Sequence, residues 1–335
     1  MNYNGLIPEN TAYPDSRRIG LYDSCGNRVG IAHLGALSNP AEGEKLYSFG
    51  VLSDVHITYS TAEADFESAL TYLNNTEKVA FTCIAGDLTA NGTETEQEKY
   101  KAVVDSHSST IPVYAIAGNH EFYSTVSNGY LEDYTGKPLY YSFTHGDDVF
   151  IMCGCYSDTY DGMFTTEFLR WLYETLEANR NKRCFVFEHF FPPEDSGDAC
   201  GVYGWSFGTG EKSSVFLSLL KHYKNTVLFH GHSHLKFYLQ ELDSRANYSD
   251  AEGYRSVHIP SVSVPRDIVG GEMVEVREGS EGYVVDVYEN GIHLRGRDFV
   301  NERFLPIASY WIDTQLQDIQ AGTWSETAGL MAENY

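Results

Sequence analysis

From Lys45 onward, short apolar runs alternate with segments of helical spacing, which restricts the chain to buried sheet strands with helices on their faces. LYSFGVLS is followed by TAEADFESALTYLNN, whose Ala64, Leu70 and Leu73 suit one helix face. VAFTCIAG is followed by ETEQEKYKAVVDSH and then PVYAIAG. FTTEFLRWLYETLEANR precedes CFVFEHF, and EKSSVFLSLLKHY precedes TVLFHG. Two stretches depart from this alternation. YYSFTHGDDVFIMCGC reads as a hairpin turning at Gly146-Asp147. After residue 235 strands dominate, in LKFYLQEL, YRSVHIPS and EGYVVDVYENGIHLRGRDF, the last turning at Glu289-Asn290-Gly291. The pattern predicts two sheets packed face to face and flanked by helices.

The predicted organisation is an N-terminal extension (1–45), a main domain (46–300) and a C-terminal tail (301–335) packed on that domain. The extension holds a hairpin around Ser24-Cys25-Gly26, and the tail carries Phe304, Leu305, Trp311 and Ile312 as apolar anchors. The extension is expected to pack as an arm; a role in attachment or assembly is the alternative. Six cysteines without a CxxC are neither a disulfide scaffold nor a zinc knuckle, so buried reduced thiols are expected. Twenty-three Lys and Arg against 47 Asp and Glu give a net charge of -24. That charge counts against a nucleic-acid polymer gripped across a broad face and against an anionic membrane as partners. No apolar run approaches the ~20 residues of a membrane span. The start, MNYNGLIPENTAYPDSRR, lacks the pattern of a signal peptide, and a cytoplasmic location is the expectation.

The ends of the apolar runs carry the chemistry. FGVLS ends in Asp54-Val55-His56, FTCIA in Gly86-Asp87, and VYAIA in Gly118-Asn119-His120-Glu121. CFVFE ends in His189, and TVLF in His230-Gly231-His232-Ser233-His234. Ligands of open α/β sheets bind beyond the carboxyl ends of the strands, so five loaded ends point to one shared cluster. Imidazoles and carboxylates without cysteine suit zinc, iron or manganese rather than a structural zinc site or an iron–sulfur cluster. Asp54, His56, Asp87, Asn119, His189, His232 and His234 are too many donors for one tetrahedral ion. They suit two ions sharing a carboxylate, an arrangement that can clamp the oxygens of a phosphoryl group.

In this order, Asp54-x-His56, Gly86-Asp87-Leu88-Thr89-x-x-Gly92, Gly118-Asn119-His120-Glu121, His189 and Gly231-His232-x-His234 resemble the signature of the calcineurin-like metallophosphoesterase superfamily. The resemblance covers about residues 46–300 and implies a four-layer αββα sandwich of two mixed β-sheets with a binuclear metal site at the strand C-terminal ends. It implies Asp54, His56 and His234 on one metal, Asn119, His189 and His232 on the other, and Asp87 bridging them. His120 would be the catalytic acid or substrate-orienting histidine, a role usually worth ~100- to 10,000-fold.

Departures from the signature narrow the expectation. Ala90 and Asn91 stand where the Ser/Thr protein phosphatases of this superfamily carry an Asp-Arg pair, and Ala90 stands where purple acid phosphatases carry an iron-binding Tyr. The form Gly-Asp-Leu-Thr-x-x-Gly is similar to that of class III cyclic-nucleotide and glycerophosphodiester phosphodiesterases. The resulting expectation is a metal-dependent phosphoesterase that acts on small phosphodiesters through metal-bound hydroxide, with His120 assisting the leaving group. A phosphomonoesterase, a nuclease with the same centre, and a non-catalytic scaffold are the alternatives. Glu121, Glu188 and His230 flank ligands and are candidate supporting partners, while His107, His222 and His293 are expected at the surface. The long loop 192–210 carries Tyr203, Trp205 and Phe207, which are candidates to wall a substrate pocket.

Overall fold

A computed structural model describes residues 17–22, 28–34, 44–108, 111–124, 129–154, 164–192, 210–237, 247–250, 253–269, 272–276 and 279–324. The chain opens with β1 (Arg17–Tyr22) and β2 (Arg28–Leu34), then β3 (Lys45–Leu52), α1 (Ala62–Thr71), β4 (Thr82–Ile84), α2 (Glu94–Ser108) and β5 (Val113–Ala115). It continues through α3 (Gly129–Thr135), β6 (Tyr140–His145), β7 (Asp148–Cys153), α4 (Thr166–Ala178), β8 (Cys184–Glu188), α5 (Glu211–His222) and β9 (Thr226–His230). The remaining strands are β10 (Tyr248–Ser249), β11 (Ser256–His258), β12 (Arg266–Val269), β13 (Glu272–Glu275), β14 (Glu281–Tyr288), β15 (Gly291–Asp298) and β16 (Arg303–Asp313).

Two six-stranded mixed sheets carry the architecture, one in the order β16-β15-β14-β3-β4-β5 and the other β10-β11-β9-β8-β7-β6. In the first, β3, β4 and β5 run parallel. In the second, β7, β8, β9 and β11 do so. Phe49, Val51 and Cys83 of the first sheet meet Phe150, Met152, Phe185, Phe187 and Phe229 of the second in the interior between them. Alternate residues of the same strands face outward under helices, as strand geometry requires. Leu52, Ile84 and Val284 pack with Phe66, Leu70, Tyr100 and Val103 of α1 and α2. Ile151, Val186 and Leu228 pack with Phe168, Leu172, Phe216 and Leu219 of α4 and α5. The molecule is a four-layer αββα sandwich. Its central strands read as unbroken apolar runs because both of their faces are covered.

Local departures have clear causes. Ala64 is exposed, and the buried face of α1 is Ala62, Phe66, Ala69 and Leu70, the i, i+4, i+7, i+8 spacing of a helical stripe. The β14–β15 hairpin forms, but its loop is Glu289-Asn290; Gly291 begins β15, where a Cβ would press on the Trp311 indole. Leu235 makes only an isolated bridge to Arg266, so the start of LKFYLQEL is not a ladder strand, and 238–246 lie outside the described residues. Residues 303–313, read as part of the tail, form β16 and pair with β15. His293 is buried rather than exposed, with Nε2 2.9 Å from Ser309 Oγ, and His107 and His222 are half-buried. β1 and β2 pair antiparallel, and β2 lies near β16; the Ser24-Cys25-Gly26 turn lies outside the described residues, as do Tyr203, Trp205 and Phe207. Cys83, Cys153 and Cys184 are buried free thiols, and burial raises the pKa of each. Among the described residues, no helix is long and apolar enough to cross a membrane.

Candidate metal centre

The parallel strands of both sheets deliver their carboxyl ends to one place. Asp54 and His56 follow β3, Asp87 follows β4, and Asn119 and His120 follow β5. From the other sheet, His189 follows β8 directly, and His232 and His234 follow β9. Backbone hydrogen bonds stitch these segments together: Asp54 N–H donates to Gly86 O (3.1 Å), His56 N–H to Asp87 O (3.0 Å) and Gly231 N–H to His189 O (3.0 Å).

Five of the seven candidate donors sit in the left-handed backbone region, with φ of 55° at Asp54, 45° at His56, 51° at Asp87, 72° at His232 and 62° at His234. That conformation costs non-glycine residues on the order of 1–3 kcal/mol each and persists only where the surroundings impose it. Here it turns the side chains back over the strand ends. Glycines admit the close approach. A Cβ on Gly118 would overlap Asp87 Oδ1 and lie 2.5 Å from Asp87 N, and one on Gly231 would overlap Ser53 Oγ and lie 2.5 Å from Asp54 Oδ2.

The carboxylates divide their oxygens. Asp87 Oδ1 accepts from His120 N–H (3.0 Å), while Oδ2 lies 3.2 Å from His189 Nε2, 3.6 Å from His56 Nε2 and 3.7 Å from His120 Nε2. Asp54 Oδ2 accepts from His232 N–H (3.1 Å), and Oδ1 lies 3.0 Å from His234 Nε2. His56 Nε2 and His234 Nε2 are 3.1 Å apart. His189 Nε2 is 3.1 Å from Asn119 Oδ1 and 3.2 Å from His232 Nδ1. Donor atoms of Asp54, His56, Asp87 and His234 all lie within 4.8 Å of one another, as do those of Asp87, His189 and His232. Asp87 belongs to both groups, and Asn119 joins the second.

The donor chemistry fits a pair of metal ions. Backbone carbonyls only accept, so His189 Nδ1–H donates to Ala85 O (2.8 Å) and His234 Nδ1–H to Val264 O (2.9 Å). Each contact fixes the ring orientation and directs Nε2 at the cluster. Asp54 Oδ1 and Asp87 Oδ2 are buried, and the ring nitrogens nearest them among the described residues are not aligned as hydrogen-bond donors. Buried oxygens aimed at converging ring nitrogens are costly unless a cation lies between them. The electrostatics agree. Burial alone would raise the pKa of Asp54, but His234 beside it holds the carboxyl below its ordinary range. Asp87 is likewise driven well down against its burial, by His189 and then His120. Burial pushes His56 and His232 well below the usual imidazole value, so both are neutral, the form that binds metal. His189 is raised to about 10, because Asp87 overcomes the effect of burial.

His120 is the partly open member of the group, with 18% of its side chain exposed. Its Nδ1–H donates to Ala90 O at 2.6 Å, which leaves Nε2 facing the cluster. Glu121 is buried and clamps two ligand loops, Oε1 accepting from Thr89 N–H (2.9 Å) and Oγ–H (2.8 Å), and Oε2 from Gly118 N–H (2.7 Å). Glu188 and His230 are buried at the ends of β8 and β9, and burial lowers the His230 pKa. Sequence reasoning missed Tyr59 and Tyr123, both substantially exposed, whose rings lie against His56 and His120. Tyr123 Oη also accepts from Asn119 Nδ2 (2.6 Å), which orients the amide so that Oδ1 faces His189. The run His120-Glu121-Phe122-Tyr123 held that signal, since residues one helical turn apart share a face.

A family model described as calcineurin-like phosphoesterase matches residues 47–236, more than half of the chain. Among solved structures, the chain is similar to purple acid phosphatase PPD1 from yellow lupin (Lupinus luteus) seeds at 14% identity and a TM-score of 0.58. That match covers 90% of this chain and 60% of the lupin chain. It is also similar to GAP50, the anchor in the inner membrane complex of Plasmodium, at 13% identity and a TM-score of 0.55 over 85% of this chain and 94% of that one. This chain therefore spans about 60% of the length of the lupin protein. At these identities, both likenesses concern the fold. No curated protein matches the chain.

Proposed function

The chain belongs to the calcineurin-like phosphoesterase family, and on that footing we propose that it hydrolyses small phosphodiesters at a two-metal centre. The observation that carries the reading is the pair of donor groups joined through Asp87. Asp54, His56 and His234 would hold one ion and Asn119, His189 and His232 the other, with Asp87 belonging to both donor groups. The donors suit manganese, iron or zinc. When bound, such a pair supplies an activated water and neutralises phosphoryl oxygens.

The protein's own residues orient and exchange protons around that chemistry. As imidazolium, protonated on both ring nitrogens, His120 would hand its Nε2 proton to the leaving oxygen as the water oxygen bonds to phosphorus and the P–O bond to the leaving group breaks. Its Nδ1–H stays on the Ala90 carbonyl, so the ring does not turn during the transfer. Tyr59 and Tyr123 frame this side of the site with exposed rings suited to a flat leaving group. The net charge of -24 favours a small diester over a long polyanion.

The test is a panel of a bis-ester, a monoester, a cyclic nucleotide and a glycerophosphodiester with metal-loaded protein. Preferential diester turnover is expected; dominant monoester turnover overturns the diesterase reading. His120→Ala should keep both metals and lose about 100-fold or more on poorly activated esters. Unchanged turnover removes the role given to His120.

A further inference from the structure

We propose that Glu96 is a positioning residue for His120, acting through the Ala90–Asn91 peptide; the proposal rests on the hydrolase reading above. Thr93-Glu94-Thr95-Glu96 opens α2 as a capping box. Thr93 N–H donates to Glu96 Oε2 at 3.0 Å, and Glu96 N–H to Thr93 Oγ1 at 3.4 Å. A cap needs nothing more, yet this carboxylate takes three further donors. Asn91 N–H reaches Oε2 at 3.0 Å, Asn91 Nδ2 reaches Oε1 at 3.0 Å, and Thr58 Oγ1 reaches Oε1 at 2.7 Å. Glu96 is 5% exposed.

The Asn91 N–H and the Ala90 carbonyl are the two ends of one planar peptide unit. At one end the unit donates to the Glu96 carboxylate, and at the other it accepts His120 Nδ1–H at 2.6 Å. The carboxylate fixes the plane of this peptide and polarises its carbonyl, as linked hydrogen bonds do. Residue 90 is an alanine and offers no carboxylate of its own. The negative charge that steadies His120 is therefore set one peptide further away, on α2. Thr58 ties the same carboxylate to the segment just after His56, so the support is referenced to the metal side of the site as well.

Glu96→Gln keeps the side-chain volume and an acceptor oxygen but removes the charge, and it is compared with wild type on an alkyl diester and on an activated aryl diester. An alkoxide needs a proton as it leaves, whereas an activated aryloxide does not, so a defect at His120 falls on the alkyl ester. The expected result is about a tenfold fall in the ratio of alkyl to aryl kcat, with unchanged metal content by elemental analysis. Glu96→Gln should add nothing to that ratio in the His120→Ala background. Equal losses on both esters, or a further fall in the ratio on top of His120→Ala, overturn the proposal. Should Glu96→Gln destabilise the helix start, Thr93→Ala, which removes the cap hydroxyl but keeps the Asn91 N–H bond to Glu96, is expected to leave the ratio within about twofold of wild type. A tenfold fall there assigns the effect to the helix start and also overturns the proposal. Wild-type protein that turns over neither ester overturns the hydrolase reading itself, an outcome separate from equal losses on both.

Discussion

Glu281 offers a stability prediction whose size and sign follow from the fold. It is the first residue of β14, 4% exposed, and its Oε2 accepts from Phe237 N–H at 2.8 Å, three residues beyond His234. Burial raises its pKa from 4.5 to about 7, against the opposing pull of Lys236. The folded state therefore keeps the proton between 4.5 and about 7, where the unfolded chain has released it. Stability from this group is fully present below 4.5, falls as pH rises through that window, and is lost above about 7. At about 1.4 kcal/mol per pH unit, the loss is about 3 kcal/mol.

Glu281→Gln removes the titration while its amide oxygen can still accept from Phe237. The variant should match wild type near pH 4.5 and be more stable by up to about 3 kcal/mol near pH 8. Urea unfolding of both proteins across this range at fixed metal concentration reads the difference directly. A difference that stays constant with pH refutes the reasoning, because it would mean that Glu281 ionises alike in folded and unfolded chains.

The other predictions concern the centre. Asp87→Ala should strip both metals, since Asp87 belongs to both donor groups; full metal content by elemental analysis refutes the shared position. Gly118→Ala places a Cβ against Asp87, and should cost about 1–3 kcal/mol in thermal unfolding and lower metal occupancy. Retention of both would show that the Gly118 backbone can yield. His189 is raised to about 10 in the absence of metal, so loading near neutral pH must displace its proton, and metal affinity should fall as pH falls. Calorimetric titration in two buffers of different ionisation enthalpy measures the released proton, and a heat independent of buffer refutes the exchange.

The residues of the cluster were legible because a side chain's chemistry is set by residue type, and buried parallel strands place their ends at predictable points. Asp54, Asp87, Asn119, His189 and His232 could be found by reading to the end of each apolar run. What could not be read is how the backbone presents them. Left-handed φ at Asp54, His56, Asp87, His232 and His234 leaves no residue signature, because the strain is imposed by the neighbouring loops rather than relieved by a glycine. Ala64 was misplaced because apolar character does not fix which helix face meets the core. β16 was read as tail because a strand beside β15 is defined by its partner as much as by its own pattern. Glu96 shows the same limit at finer scale. Thr-x-x-Glu signals a helix start, but nothing local says that its carboxylate also holds the Ala90–Asn91 peptide facing His120. A buried carboxylate can thus be linked to an imidazole through a peptide bond rather than a side chain, and then the link leaves the sequence motif while remaining in the structure.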